Sequence, residues 1–196
     1  KGKLISVFNH IHFWDYIFIM KALRKRKCHV LVWDKNINDK DGPLVSLVGG
    51  IPIPVHNMKA TLKYQEEVKS LLESNGHLHI YPEGSMWEYY GQIRPFKTGA
   101  SSLAIKYHVP LLPLGFSYRR PGWIRRHIFH QFALINLNVG QLIYPQEGEN
   151  KFELTKRINE EVIKLAHIKN NLYPPIYHQD KRIDYYTEIY GINYKG

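Results

Sequence analysis

A chain of 196 residues, 44% of them apolar and 22% charged, has the makeup of one globular domain able to bury a sizeable core. Its single cysteine, Cys28, excludes an internal disulfide framework and suits a reducing compartment. The formal charge of +10 favours anionic partners: nucleic acid, an acidic membrane surface, phosphates or an acidic carrier protein.

No run approaches the roughly 18 apolar residues of a transmembrane helix, and the sequence carries no signal peptide. The chain starts without Met, directly on strand-like sequence. A preceding segment, one able to carry a membrane anchor, is therefore expected.

"KLISVF" (3–8) reads as a strand and is followed by a mostly apolar helix over about 13–26. "CHVLVW" (28–33) is short and nearly continuous in apolar residues, as buried parallel strands are, and makes Cys28 a buried thiol. Residues 34–42 are polar and loop-like. "IPIPV" (51–55) is extended, and its two prolines, which cannot donate ladder bonds, send it to an edge. Asn57 is a good N-cap for a helix to about residue 75, with Gly76 just past its end and Tyr64, Val68, Leu71 and Leu72 on one face.

"HLHIY" (77–81) is the next strand. A loop leads to a helix from about Thr98, with Ala100, Leu103, Ala104 and Tyr107 in one stripe, and "VPLLPLGF" (109–116) is again a strand. The alternation predicts an α/β fold: a single domain over 1–168 with a largely parallel or mixed central sheet flanked by helices. A basic aromatic stretch (117–130), a strand-like run (131–144) and an amphipathic helix (152–167, with Leu154, Ile158, Val162 and Leu165 inward) complete it. Residues 169–196 form a polar, tyrosine-rich tail.

"VFNHIHFWDYIF" (7–18) places two histidines and an aspartate among apolar residues. His10-x-His12 on an extended segment points both imidazoles to one face, and His77-x-His79 repeats the spacing, with Asp15, Asp34 and Glu83 available to complete a metal site. That arrangement suits a metal-dependent hydrolase, although no cysteine ligand is near and the pairs are short signals. The plainer expectation for His77 and His79 is a strand with one half-exposed face. A second reading needs only His10 and Asp15. His10 falls at the C-terminal edge of a strand, where open α/β sheets keep ligands. Asp15 falls in the first turn of the next helix, where the dipole favours a carboxylate. Asp15 can then fix the His10 tautomer and leave the other ring nitrogen as a general base, with Asn9 bracing the loop through backbone bonds.

"YPEGSMWEYYGQIRPFKTGASSLA" (81–104) follows a strand directly, and Phe96-Lys97-x-Gly99-Ala100 opens a helix whose amides can meet an anion. With these blocks in place the chain resembles the glycerolipid acyltransferases, the family of lysophosphatidic acid acyltransferase. Four blocks match in order over 4–116: Asn9-His10-x4-Asp15, Gly50-Ile51-Pro52-Ile53, Pro82-Glu83-Gly84-Ser85 with its Phe-Lys-x-Gly-Ala sequel, and Val109-Pro110-x-x-Pro113. The resemblance implies transfer of a fatty acyl group from a coenzyme A or acyl-carrier-protein thioester to a hydroxyl of a lysophospholipid-like acceptor, 1-acylglycerol-3-phosphate first. It implies His10 as general base, Asp15 as its orienter, and Glu83, Gly84 and Ser85 as acceptor-binding residues. It implies no metal and no cofactor beyond the acyl donor.

Two departures bear on the acceptor. The family commonly has an arginine where this chain has Met86, and another where it has His56; a guanidinium fork suits phosphate as methionine cannot. Arg94 and Lys97 are the expected replacements, ahead of Lys59. "YRRPGWIRRHIF" (118–129) interleaves four arginines with aromatic and aliphatic residues, which fits an interfacial anchor. A membrane surface is the expected partner, at its cytoplasmic face, and nucleic acid is not. A basic lipid- or nucleic-acid-binding domain without catalysis is the third reading.

Overall fold

The computed structural model describes residues 2–12, 14–23, 27–38, 42–47, 49–54, 57–87, 90–129 and 134–167. The apolar runs become β1 (Leu4–Val7), β2 (Cys28–Trp33), β3 (Gly50–Ile53), β4 (His77–Ile80), β5 (Leu111–Arg119) and β6 (Leu134–Val139). They form one sheet in the order β3-β2-β4-β1-β5-β6. The first five strands are parallel, and β6 runs antiparallel to β5. The sheet is therefore mixed, and β3, with Pro52 in it, is an edge.

The register fixes where the chemistry can gather. Val7 lies opposite Ile80 on one side and Pro113 on the other, so β1 and β4 end level with one another, while β5 runs on past them to Arg119. The residues after β1 and after β4 thus leave from one edge, on neighbouring strands, although about seventy positions separate them in sequence.

Alternation along the strands divides the core in two. Ile5, Val7, Leu78, Ile80 and Leu111 pack on one face against α4 (Met58–Glu73), α5 (Gly99–Tyr107) and α7 (Lys151–Ala166). Leu4, Phe8, Leu112, Leu114 and Phe116 pack on the other, with Ile19 of α1 (Asp15–Ala22). The caps follow the side chains. Asn57 Oδ1 accepts from Ala60 N at 3.1 Å, and Asn150 forms a reciprocal capping box with Glu153 at the start of α7. Leu154, Ile158, Val162 and Leu165 of α7 are all buried, each contributing about 2 kcal/mol of apolar transfer. Gly115 lets that helix approach β5: a Cβ there would lie 2.7 Å from Leu165 Cβ and 2.8 Å from Ala166 N.

Several boundaries differ from the sequence reading. Residues 34–42 are not a loop throughout: α2 (Asp34–Asn38) fills most of them, and α3 (Gly42–Leu47) follows, with Pro43 in its first turn. Such short helices have too few turns for an apolar stripe to register. Helix α1 ends at Ala22, short of residue 26. Strand β6 stops at Val139; beyond it only Ile143 bridges back, to Leu111. Within the basic stretch lies a short helix, α6 (Trp123–His127). His77 and His79 are wholly buried, not half-exposed. His56 and the tail from residue 169 lie outside the described residues.

Candidate active site

Asp15 opens α1 and folds back over the turn that precedes it. Its Oδ2 accepts from Ile11 N at 2.8 Å, from His12 N at 2.9 Å and from His10 Nδ1 at 3.0 Å. One fully buried oxygen therefore holds both the loop and the imidazole. With Nδ1–H directed at the carboxylate, Nε2 is the free nitrogen of His10; it makes no hydrogen bond among the described residues, and one fifth of the side chain is exposed. Asn9 braces the edge from below, its Oδ1 accepting from Phe116 N at 3.0 Å.

The turn after β4 closes on the same point. Gly84 N donates to Tyr81 O at 3.1 Å, and Gly84 has φ +74°, a left-handed conformation that glycine adopts without strain. Glu83 is buried beneath it: Oε2 accepts from His10 N at 3.1 Å and Oε1 from Arg94 N at 2.9 Å. The Arg94 guanidinium donates to Glu83 Oε2 at 2.6 Å, to Ser85 Oγ at 2.6 Å and to Ser85 O, and it lies 4.6 Å over the Trp87 ring. Trp87 N in turn donates to His10 O at 3.0 Å. Burial pushes the Glu83 carboxyl above its ordinary value, and the Arg94 charge with two backbone N–H groups offsets only part of that.

The two motif-bearing loops are thus one unit, tied through the backbone of His10. Arg94, the sequence's first candidate for an exposed phosphate cation, is spent on this tie: it is 4% exposed and turned inward. Lys97 stands differently. It is exposed, and its Nζ would lie 2.7 Å from a Cβ at Gly84, so the ammonium rests on the outer surface of the turn.

The other described histidines do not join a metal cluster. His12 Nδ1 accepts from Trp14 N at 3.1 Å. His77 Nε2 and His79 Nδ1 both meet Ser6 Oγ, at 2.7 and 2.8 Å, inside the sheet. Burial and the neighbouring His77 and His10 rings push His79 well below the usual histidine value, so it is neutral. Among the described residues, no three His, Cys, Asp or Glu side chains are grouped to hold a metal ion.

A sequence profile of the family described as Acyltransferase matches residues 1–117. The chain belongs to the acyltransferase family. The matched span holds every residue of the Asp15–His10–Glu83–Arg94 unit, along with Asn9, Gly84, Ser85 and Lys97. The acyltransferase fold is also seen among solved structures: the chain is similar to the 1-acyl-sn-glycerophosphate (LPA) acyltransferase PlsC from Thermotoga maritima, at a TM-score of 0.60 and 18% identity. That likeness covers 84% of this chain and 65% of the Thermotoga chain, so this acyltransferase chain spans just under two thirds of that protein's length. One contact of the candidate site escaped sequence reasoning. Tyr81 stacks on His10, and the only signal for it was an aromatic residue directly before Pro82-Glu83.

Proposed function

We propose that this protein transfers a fatty acyl group from a coenzyme A or acyl-carrier-protein thioester to a hydroxyl of a lysophospholipid-like acceptor, with 1-acylglycerol-3-phosphate the first candidate. The observation that carries this is the His10 Nδ1–Asp15 Oδ2 bond of 3.0 Å at an open sheet edge. Asp15 holds the Nδ1–H tautomer. Nε2 takes the acceptor's hydroxyl proton as that oxygen attacks the thioester carbonyl carbon. The carbon–sulfur bond then breaks, and the imidazolium returns its proton to the departing thiolate. An ester and a free thiol result. Every bond change involves the thioester and one proton, so the scheme calls for no cofactor beyond the acyl donor.

Glu83 serves by holding His10's backbone N–H, Arg94 by pairing with Glu83, and Ser85 by accepting from the Arg94 guanidinium. Lys97, on the Gly84 turn, is the cation offered to the acceptor phosphate. Lys97→Ala accordingly raises the acceptor KM about tenfold and leaves the donor KM unchanged, the size expected for one charge-assisted hydrogen bond. Steady-state kinetics varying each substrate in turn decide it; an unchanged acceptor KM would remove Lys97 from the site.

A membrane surface is the partner this reading calls for. No acidic residue occurs from 109 to 146. Trp123, Ile124, Ile128 and Phe129 are 59–70% exposed among Arg119, Arg120, Arg125 and Arg126. They follow β5, which runs parallel to β1 and continues past its end in the direction in which His10 leaves. Aromatic residues at headgroup depth beside arginines on lipid phosphates fit that composition. None of the described helices is long and apolar enough to cross a membrane; the contact proposed is docking of this exposed basic aromatic surface, and the free Cys28 suits the cytoplasmic face. Sedimentation with phosphatidylcholine vesicles, with and without phosphatidylglycerol, should show a preference for the anionic ones that Arg125→Glu/Arg126→Glu abolishes. Equal binding by the variant would place the docking face elsewhere.

The experiment for the reaction is acceptor-dependent thiol release from acyl-coenzyme A and from acyl carrier protein, over a panel of lysolipids. Release that needs both acceptor and His10 supports the reading. A protein that binds lipid but releases no thiol from either donor is a binding domain instead.

A further inference from the structure

The reaction scheme leaves Tyr81 unused, yet no side chain lies closer to the face of His10 among the ring contacts described. The two rings are 3.8 Å apart between centroids and 20° from parallel. Tyr81 is itself fixed. It meets Phe8 edge-on at 5.2 Å and 75°, and His79 edge-on at 4.5 Å and 81°. Both of those rings are wholly buried and brace the half-buried Tyr81 against the imidazole. Burial also drives its phenol well above the usual tyrosine value, which keeps the ring uncharged beside Asp15.

The other restraints on His10 act in different directions. Asp15 pulls on Nδ1 within the plane of the imidazole, while Glu83 and Trp87 hold the backbone N–H and C=O. None of these opposes rotation about Cβ–Cγ as directly as a ring laid flat on the imidazole face. That rotation is the motion that would swing Nε2 off a bound hydroxyl. The stack also changes strength during the reaction. With neutral imidazole it is an ordinary aromatic contact; once Nε2 has taken the proton, a cation lies over a π face. An interaction that strengthens as charge develops lowers the barrier instead of merely tightening binding.

We infer that Tyr81 is a positioning residue for His10: its ring holds the imidazole in the plane that presents Nε2 to the acceptor hydroxyl, and its π face stabilises the imidazolium formed when the proton is taken. The inference rests on the reading of His10 as general base. It goes beyond that reading in naming an aromatic face, not only a carboxylate, as part of the base. The proton balance is unchanged, since Tyr81 neither gives nor takes one.

The test compares Tyr81→Phe, Tyr81→Leu and Tyr81→pentafluorophenylalanine, the last of which keeps the shape of the ring and reverses the charge of its face. Tyr81→Phe should keep kcat within about twofold. The other two should lose about 3- to 30-fold in kcat, the range of a cation–π contact, with both KM values unchanged. A pentafluoro variant as fast as wild type, or a phenylalanine variant as slow as leucine, overturns the inference. Because the fluorinated ring fills the same space, it remains informative where leucine disturbs folding. A second readout needs no turnover: the His10 ring-proton resonance should lie upfield from ring current and move downfield in Tyr81→Leu. An unmoved resonance overturns the stack itself. His10→Ala, assayed in parallel, separates the two levels: full activity there sinks the base, whereas its loss beside a flat Tyr81 series sinks only the positioning role.

Discussion

Replacing His10 by alanine lowers turnover about 10²–10⁴-fold, the contribution typical of a positioned general base, and leaves the unfolding transition cooperative. The fold survives because Asp15 Oδ2 keeps two of its three donors, Ile11 N and His12 N, and because the ties through the backbone of residue 10 do not need its side chain. The imidazole is one-fifth exposed, so its removal opens no sealed cavity. Stopped thiol release with an unchanged denaturation midpoint is the expected pair of results. Turnover within a few-fold of wild type would mean that another group takes the proton.

Arg94→Ala has the largest expected effect on stability. It leaves the Glu83 carboxylate, 2% exposed as a side chain, without its counter-charge. Breaking one half of a buried pair costs about 3–5 kcal/mol, because the remaining charge stays out of water. Urea unfolding measures that directly. The pH dependence has a definite sign. A carboxyl held above its unfolded value binds protons on folding, so its contribution to stability falls as pH rises through that window. Removing Arg94 takes away the largest influence opposing burial and widens the window upward. The deficit of Arg94→Ala is therefore greater at about pH 7 than at about pH 5, where protonation of Glu83 relieves it. A deficit independent of pH would show that the guanidinium acts through packing on Trp87 rather than through charge. Activity falls as well, since Glu83 carries the backbone of His10.

These two residues mark where local reading sufficed and where it did not. His10 and Asp15 are five positions apart, and a helix that begins at Asp15 brings its carboxylate over the preceding turn by geometry alone. Asn57 declares its helix in the same local way, and so does the apolar stripe of Leu154, Ile158, Val162 and Leu165. Arg94 looked like a loop cation because nothing near it in sequence says that Glu83, eleven positions back, is buried beneath it.

The order of the strands and of the longer helices, the two motif blocks and the His10–Asp15 pair were legible from periodicity, capping chemistry and short-range spacing, all properties of neighbouring residues. The burial of His77 and His79 on Ser6, the inward turn of Arg94, the exposed place of Lys97 and the Tyr81 stack were settled only when β4 paired beside β1. Side chains that point to one face of a strand do not announce what covers that face. That depends on strand order and register, which are set by contacts between residues about seventy positions apart.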